Sequence, residues 1–280
     1  MPILLAFASA VVYGIGDYCG GRSARRQVAL VVAATGQMVS LVLVGAAVLV
    51  MGTAVPATPT WGWSAFAGVA GALGIAGLYH AFAHGEVSVV APTSAVVGAM
   101  VPLVTGLFLG ERPSLLALVG IVVAISAVAL VSGAIGTHAH NTPPRIVALA
   151  VAVGACFGLL FVALDRADSE SGLWPLVIAR FVSVPLLVAL VLAIGARPVR
   201  HRASLQLAVV AGVFDMGANV LYLLAVRDGM LSIVSVVSSL YPASTVALAF
   251  AFDRERLTRW QAMGLGAAGL ALVLVSLSRQ

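Results

Sequence analysis

The sequence predicts an all-α integral membrane protein of ten transmembrane helices, arranged as two five-helix repeats of inverted topology. Three observations support this. Of the 280 residues, 61% are hydrophobic and only 9% are charged, whereas soluble domains carry roughly 25% charged residues. Apolar stretches of about twenty residues, each long enough for a helix to cross roughly 30 Å of hydrocarbon, recur from end to end. The second half of the chain also resembles the first.

Turn-forming and charged residues separate the apolar stretches and define ten predicted spans. These gaps belong at the membrane interfaces, because irregular backbone exposed to lipid leaves its polar groups without partners. The gaps are short, so no extramembrane domain is expected. The predicted spans are residues 3–20, 28–50, 62–84, 87–109, 115–135, 146–164, 173–194, 205–226, 230–252 and 259–278.

Shifting the sequence by 144 positions along itself brings similar residues of the two halves into register. The match of Glu111-Arg112 with Glu255-Arg256 is the most specific, because this charged pair is scarce and lies in the same inter-helix gap of each half. The other matches include Tyr13-Gly14 with Phe157-Gly158, Gly68 with Gly212, Gly85 with Gly229, and Gly120 with Gly264. We assign residues 1–136 to the first repeat and 145–280 to the second.

Each repeat holds five spans, an odd number, so the second copy enters the bilayer in the opposite orientation. Inverted repeats of this kind place a substrate site near the membrane midplane, and rocking between two related shapes gives alternating access. The organisation therefore favours a transporter, although some membrane enzymes are also duplicated.

The basic residues are fifteen arginines, and they concentrate in the gaps between spans. The gaps after odd-numbered spans hold ten, and the other gaps with the C-terminus hold four. By the positive-inside rule the arginine-rich side is cytoplasmic, so both termini would face outward. The net charge of +5 does not predict nucleic-acid binding, because no basic tail or aromatic-basic interleaving accompanies it.

Each half carries an early aromatic-glycine pair, a small-residue fourth span, a charged turn and a glycine-rich fifth span. The first turn is Gly110-Glu111-Arg112, and in the second half Pro242 stands thirteen residues before Glu255. This pattern resembles the EamA type of the drug/metabolite transporter (DMT) superfamily over nearly the whole chain. The resemblance implies a secondary carrier for small metabolites, amino acids, nucleotide-related compounds or drugs, which such carriers often export.

The sequence departs from this family pattern in three respects. Gly98 stands where the first-half proline is expected, with Pro102 one turn later. The second turn reads Asp253-Arg254-Glu255-Arg256 instead of Gly-Glu-Arg. Members are usually drawn with cytoplasmic termini, opposite to the orientation that the arginines predict. The helix kinks and the orientation therefore stay open.

Asp215, Asn219 and Tyr222 lie on one face of the eighth span, because they are spaced four and three residues apart. A charge near the bilayer centre costs about 2.5 to 3.5 kcal/mol on insertion scales, so it needs a reason to persist. One interpretation is a substrate site, or a proton site whose shielded carboxylate titrates as access alternates. The alternative is that these residues join helices by hydrogen bonds.

Arg180, in the seventh span, has two interpretations. A bidentate contact could hold a substrate carboxylate or phosphate. Equally, the guanidinium could neutralise Asp215 or Asp17. Gln37 lies one position from the repeat partner of Arg180 and is interpreted as structural.

Further cavity candidates come from the first, third and ninth spans. They are Asp17 and Tyr13 on the first, Tyr79 and His80 on the third, and Ser235 and Ser239 on the ninth. Asp17 is close enough to the end of its span to be interfacial instead. Small residues such as these serines can also simply allow close helix contact. Pro242 removes a backbone hydrogen bond and can free a carbonyl or kink the ninth helix there.

No metal site, cofactor or catalytic residue is predicted. His138 and His140 resemble a metal-binding pair, but their linker supplies no carboxylate or thiol. A chain without lysine cannot carry a phosphate loop ending in Gly-Lys-Ser or Gly-Lys-Thr, so the driving force would be a gradient. The alternative function is a membrane-embedded enzyme acting on lipid head groups. Its candidate catalytic residues would be Arg180, Asp215, His80 and Glu86. Their spacing in the sequence matches no known catalytic arrangement.

The predicted partners are a small-molecule substrate and the lipid bilayer, with no nucleic acid. A homodimer is compatible with the sequence and not required by it. The absence of lysine and the abundance of Ala, Val and Gly suggest a GC-rich bacterial source. We therefore expect a multi-pass protein of the bacterial inner, or cytoplasmic, membrane.

Overall fold

The computed structural model describes residues 1–56, 58–131, 142–196, 202–253 and 258–278. This part of the chain contains helices and no strands. A short 3-10 turn, Ser169–Ser171, lies between two of the α-helices. The α-helices are α1 (Pro2–Ala24), α2 (Ala29–Met51), α3 (Thr58–His84), α4 (Val87–Phe108), α5 (Leu115–Val131), α6 (Pro144–Asp165), α7 (Trp174–Ala193), α8 (Arg202–Asp228), α9 (Leu231–Ser238), α10 (Tyr241–Asp253) and α11 (Arg259–Leu277).

The outer surface and the helix lengths suit a lipid environment. Within the described ranges, nine helical stretches are at least 18 residues long and apolar enough to cross a membrane, and α5 is a shorter tenth. Large apolar side chains cover the outside, among them Leu49, Val50 and Phe108, which are 83%, 88% and 88% exposed. Helices that satisfy their own backbone hydrogen bonds can present such a surface to lipid. The predicted all-helical membrane fold is confirmed.

The ninth predicted span, residues 230–252, is not one continuous helix. It is divided into α9 and α10 by a turn at Ser239 and Leu240. Pro242 favours the division, because it has no N–H to bond the carbonyl four residues before it. The missing N–H is not sufficient by itself, since Pro102 and Pro185 lie inside continuous helices. The helix is interrupted close to the middle of the membrane span.

The two repeats interlock instead of packing as separate bundles. The first helix of each repeat packs on the third helix of the other, α1 on α8 and α6 on α3. Likewise α4 packs on α6, as α9 and α10 pack on α1. The pairs α2 with α7 and α5 with α11 join equivalent helices. A pseudo-two-fold axis therefore relates the repeats and exchanges these contacts.

Close glycine contacts follow the same symmetry. A Cβ atom built on Gly120 would lie 2.6 Å from the Val275 side chain, and one built on Gly264 would lie 2.7 Å from the Val131 side chain. The same relation holds for Gly85 against Ile146 and Gly229 against Pro2. Each contact maps onto its partner by the shift of 144 residues. The sequence register of the repeats thus describes their packing in space.

Glu111 ties the turn after α4 to the second repeat. Its carboxylate accepts hydrogen bonds from the backbone amides of Leu231, at 2.6 Å, and Ser232, at 2.9 Å. These amides open α9, where backbone N–H groups lack helical partners and negative charge is favoured. Gly110 precedes the glutamate with a φ of 92°, a left-handed conformation that glycine adopts without strain. The equivalent Glu255 lies outside the described residues.

Gly68→Ala is expected to destabilise the protein by about 1 to 3 kcal/mol, the usual cost of overpacking a tight interface. The new Cβ would lie 2.4 Å from the carbonyl oxygen of Ala179, and this backbone atom of α7 cannot rotate away. Thermal unfolding in detergent measures the effect. Gly45→Ala is the control, since nothing lies within 4 Å of its Cβ position. Equal melting temperatures for the two variants would contradict the close packing of α3 on α7.

Candidate substrate cavity

A cavity lies between the two repeats, with about 580 Å³ of empty space when its opening to solvent is included. The lining comes from the first four spans of each repeat, while α5 and α11 take no part. The residues are Tyr13, Asp17, Gln37, Gly71, Ile75, Ser94, Ala95, Gly98, Phe157, Leu160, Phe161, Arg180, Asp215, Asn219, Ser239 and Tyr241.

The cavity lies on the pseudo-two-fold axis, because many of its lining residues form symmetry-related pairs. A shift of 144 residues relates Tyr13 to Phe157, Asp17 to Phe161, Gly71 to Asp215, Ile75 to Asn219 and Ala95 to Ser239. A shift of 143 relates Gln37 to Arg180. This is the position that an inverted repeat gives to a substrate site.

The chemistry of the paired positions is not symmetric. One side, the polar pole, consists of Asp17, Gln37, Arg180, Asp215 and Asn219. The other side, the apolar pole, consists of Gly71, Ile75, Phe157, Leu160 and Phe161. The two repeats have therefore diverged at matched positions: the charged residues come from α1, α7 and α8, and the residues of the apolar pole come from α3 and α6.

An ion pair lies at the centre of the polar pole. Arg180 is 1% exposed, and its Nη2 donates to Asp215 Oδ2 at 2.9 Å. Ser40 donates to the same oxygen at 3.4 Å. Asn219 Nδ2 donates to Asp215 Oδ1 at 3.3 Å and to the Asp215 backbone carbonyl at 2.8 Å. The Asp215 carboxylate thereby joins α8 to both α2 and α7.

Three polar groups in this pole have unused bonding capacity. Arg180 Nε and Asn219 Oδ1 are buried without a hydrogen-bond partner. Across the described part of the chain, the carboxylate of half-buried Asp17 has no hydrogen bond or salt bridge, although it faces the same cavity. Buried polar groups rarely stay unsatisfied, so their clustering is typical of a site that receives a ligand or water.

Gln37 belongs to the cavity wall, although its sequence context suggested a structural role. It is 3% exposed, and its Oε1 accepts a hydrogen bond from Ser183 at 2.8 Å. The shift of 143 residues places Gln37 on Arg180 and Ser40 on Ser183, whereas the shift of 144 misses both pairs. This one-residue slip in the second helix of the repeat is the signal that could have identified Gln37.

Aromatic rings form much of the remaining wall. Tyr13 lies 6.2 Å from Phe161 and 6.4 Å from Tyr241 between ring centroids. The Tyr241 hydroxyl is 3.2 Å from Ser94 Oγ, which joins α10 to α4. Sequence reasoning missed Tyr241, Phe157 and Phe161 as cavity residues, because an aromatic residue in an apolar span carries no sign of whether it faces lipid or the interior.

Two of the predicted residues lie behind the wall. Tyr222 and Ser235 are fully buried and pair with each other, with the Tyr222 hydroxyl 2.9 Å from Ser235 Oγ. Tyr222 also stacks on Phe161 at a centroid distance of 4.2 Å. They support the apolar pole and do not line the cavity.

The two candidates on the third helix, Tyr79 and His80, lie in different environments. Tyr79 is buried and lines a smaller cavity of about 180 Å³ that also borders Gln37 and Asp215. His80 is exposed on the outer face of α3, where it stacks on His84 at 4.2 Å. The structure therefore does not bring His80 to the substrate cavity. Asp17, Tyr13, Arg180, Asp215, Asn219 and Ser239 do line it.

No cluster of three or more potential metal ligands occurs among the described residues. The predicted pair, His138 and His140, lies outside them.

Comparisons with known proteins address the family directly. The sequence model of the EamA-like transporter family matches residues 1–133 and again residues 144–277. A search of curated proteins found no match. One solved structure, described only as the crystal structure of a protein, has a TM-score of 0.75 at 18% identity, over 99% of this chain and 96% of its own. That likeness shows the fold. The family matches confirm the resemblance drawn from the sequence motifs, and the chain belongs to the EamA-like transporter family.

Proposed function

We propose that the protein is a secondary active transporter that carries a small molecule by alternating exposure of the cavity to the two membrane faces. The observation that carries this proposal is the cavity on the pseudo-two-fold axis, with a buried ion pair at one end. A gradient supplies the energy. The proposed setting is the bacterial cytoplasmic membrane, with export as the direction.

Contacts at the two ends of the bundle support alternating access. At one end, Ser23 of α1 and Ser204 of α8 are 2.9 Å apart between their hydroxyl oxygens. At the opposite end, Trp174 at the start of α7 donates to the Thr53 carbonyl after α2, at 3.1 Å. Opening one set of contacts while keeping the other exposes the cavity to one face only. The break between α9 and α10 gives the bundle a point at which to bend.

We assign the coupling of substrate transport to proton movement to the two carboxylates of the polar pole, Asp215 and Asp17. Uptake of one proton by either changes the charge of the cavity by one unit. In a membrane interior, where charge is costly, such a change alters the affinity for a charged substrate. The substrate gradient and the proton gradient are thereby linked at a single site.

The lipid-modifying enzyme considered from the sequence has less support. It would need Arg180, Asp215, His80 and Glu86 to converge on one reacting group. Arg180 and Asp215 meet in the cavity, whereas His80 faces outward from α3 and Glu86 lies at the start of α4. A carrier uses the residues that the cavity brings together.

Asp215→Asn is expected to abolish substrate-dependent proton movement. The test reconstitutes purified protein in liposomes, imposes a pH gradient, and records internal pH while pools of amino acids, nucleosides and organic cations are supplied. Asp228→Asn is the matched control, because Asp228 ends the same helix and is exposed. Proton movement lost in the first variant and kept in the second would support the proposal. Absence of both proton movement and tracer exchange for every pool would overturn it.

A further inference from the structure

The charge of the cavity indicates the class of substrate, an inference that rests on the proposed carrier function. Three charged residues line the cavity: Arg180, Asp215 and Asp17. Arg180 and Asp215 compensate each other at 2.9 Å. Asp17 remains without a counter-ion among the described residues. When all three groups are ionised, the net charge of these lining residues is −1.

Most of the polar groups without a hydrogen-bond partner in the polar pole are acceptors, which also favours a positively charged ligand. Asn219 Nδ2 faces two acceptors of Asp215, which fixes the orientation of the amide and leaves Oδ1 as a buried acceptor without a partner. The Asp17 carboxylate supplies further acceptors. An ammonium group, which only donates, can satisfy both residues. The remaining free donor, Arg180 Nε, needs only a neutral oxygen such as a hydroxyl or a carbonyl.

The opposite end of the cavity suits the rest of such a molecule. Phe157, Leu160 and Phe161 of α6 line the apolar pole together with Ile75 of α3. Tyr13 lies one turn from Asp17 and 6.2 Å from Phe161, so an aromatic surface continues from the acidic end to the apolar end. Ring faces attract cations, particularly where water is excluded.

We propose that the transported substrate is an amphiphilic organic monocation. Its ammonium group binds between Asp17 and Asn219, and its aromatic or aliphatic body lies against α3 and α6. An organic anion would add a second negative charge to the cavity, and a zwitterion would leave the net charge of the ionised cavity at −1. The divergence of the repeats at Asp17 and Phe161 is what gives the substrate its single orientation.

The test measures binding to purified protein by calorimetry with three ligands that share a phenylethyl body. They are 2-phenylethylammonium, phenylalanine and 3-phenylpropionate, which are a cation, a zwitterion and an anion. The cation is expected to bind more tightly than either other ligand by about tenfold or more, the ratio that about 1.4 kcal/mol produces. Asp17→Asn should remove this preference, whereas Asp228→Asn should keep it.

The outcomes separate this inference from the carrier proposal. Tighter binding of phenylalanine or phenylpropionate, or an unchanged preference in Asp17→Asn, would overturn the monocation assignment. Failure of all three ligands to bind would overturn it as well. In each of these cases the liposome pools still test transport independently. If Asp17→Asn cannot be purified, the order of the three affinities in the wild-type protein decides the question.

Discussion

Arg180→Gln is expected to abolish transport and to lower the stability of the protein, because it leaves Asp215 in the cavity without its counter-ion. Removing one partner of a buried pair costs about 3 to 5 kcal/mol. The Asp215 side chain is 19% exposed, and water in the cavity would screen its charge, which places the loss at the low end of that range. Denaturant or thermal unfolding and liposome transport are the two measurements.

The double variant Arg180→Gln with Asp215→Asn separates the structural effect from the functional one. It contains no uncompensated charge from the pair, so its stability should recover relative to Arg180→Gln. Its transport should stay absent, since the coupling carboxylate is gone. If the single and double variants were equally stable, the ion pair at 2.9 Å would not contribute to folding as described.

Gly71→Leu is expected to reduce substrate binding by about a hundredfold or more, equivalent to about 2.7 kcal/mol. Gly71 is the symmetry partner of Asp215, so a side chain at this position projects into the cavity. Its Cβ would meet one atom within 4 Å, a terminal carbon of Leu160 at 2.7 Å, and that flexible side chain also lines the cavity. The helix is therefore expected to form while the cavity fills.

Gly45→Leu on α2 is the control for Gly71→Leu. Nothing lies within 4 Å of a Cβ at Gly45, so the added side chain meets no neighbour in the bundle. Tracer uptake in liposomes and elution from a sizing column report function and folding separately. Uptake by Gly71→Leu equal to that of Gly45→Leu would show that substrate does not pass through this cavity.

The fold could be predicted because membrane insertion and duplication both leave strong linear signals. Apolar stretches of fixed length mark the helices, and the shift of 144 residues marks the repeat. The interruption at Ser239 and Leu240 is favoured by Pro242, whose missing N–H is visible in the sequence. How far a helix is interrupted depends on neighbouring helices, so the sequence indicates the position of the irregularity and not its extent.

The site was harder to predict, because the direction in which a side chain points within the helix bundle depends on tertiary packing. Tyr79 and His80 are adjacent, but consecutive residues on a helix point about 100° apart. One is therefore buried and the other exposed. Tyr222 shares a helix face with Asp215 and Asn219, yet it lies behind Phe161 and not in the cavity. Spacing identifies a polar face, whereas only packing shows how much of that face reaches the cavity.

The role of Arg180 illustrates the same limit. The sequence allowed either a substrate contact or a counter-ion for one of two carboxylates. Packing of both α7 and α8 against α2 brings Arg180 to Asp215. Asp17 is then the carboxylate without a partner among the described residues, a distinction that the linear sequence does not contain.

Accessibility of the cavity from both membrane faces is the most direct test of alternating access. Cys19 and Cys156 are the two cysteines of the chain, so replacing both with alanine allows a single Ser239→Cys to report from the cavity wall. A membrane-impermeant thiol reagent is applied to right-side-out and inverted vesicles. Alternating access predicts labelling from either face, and protection of both by a transported substrate. Labelling from one face only, under every substrate and pH condition, would contradict it.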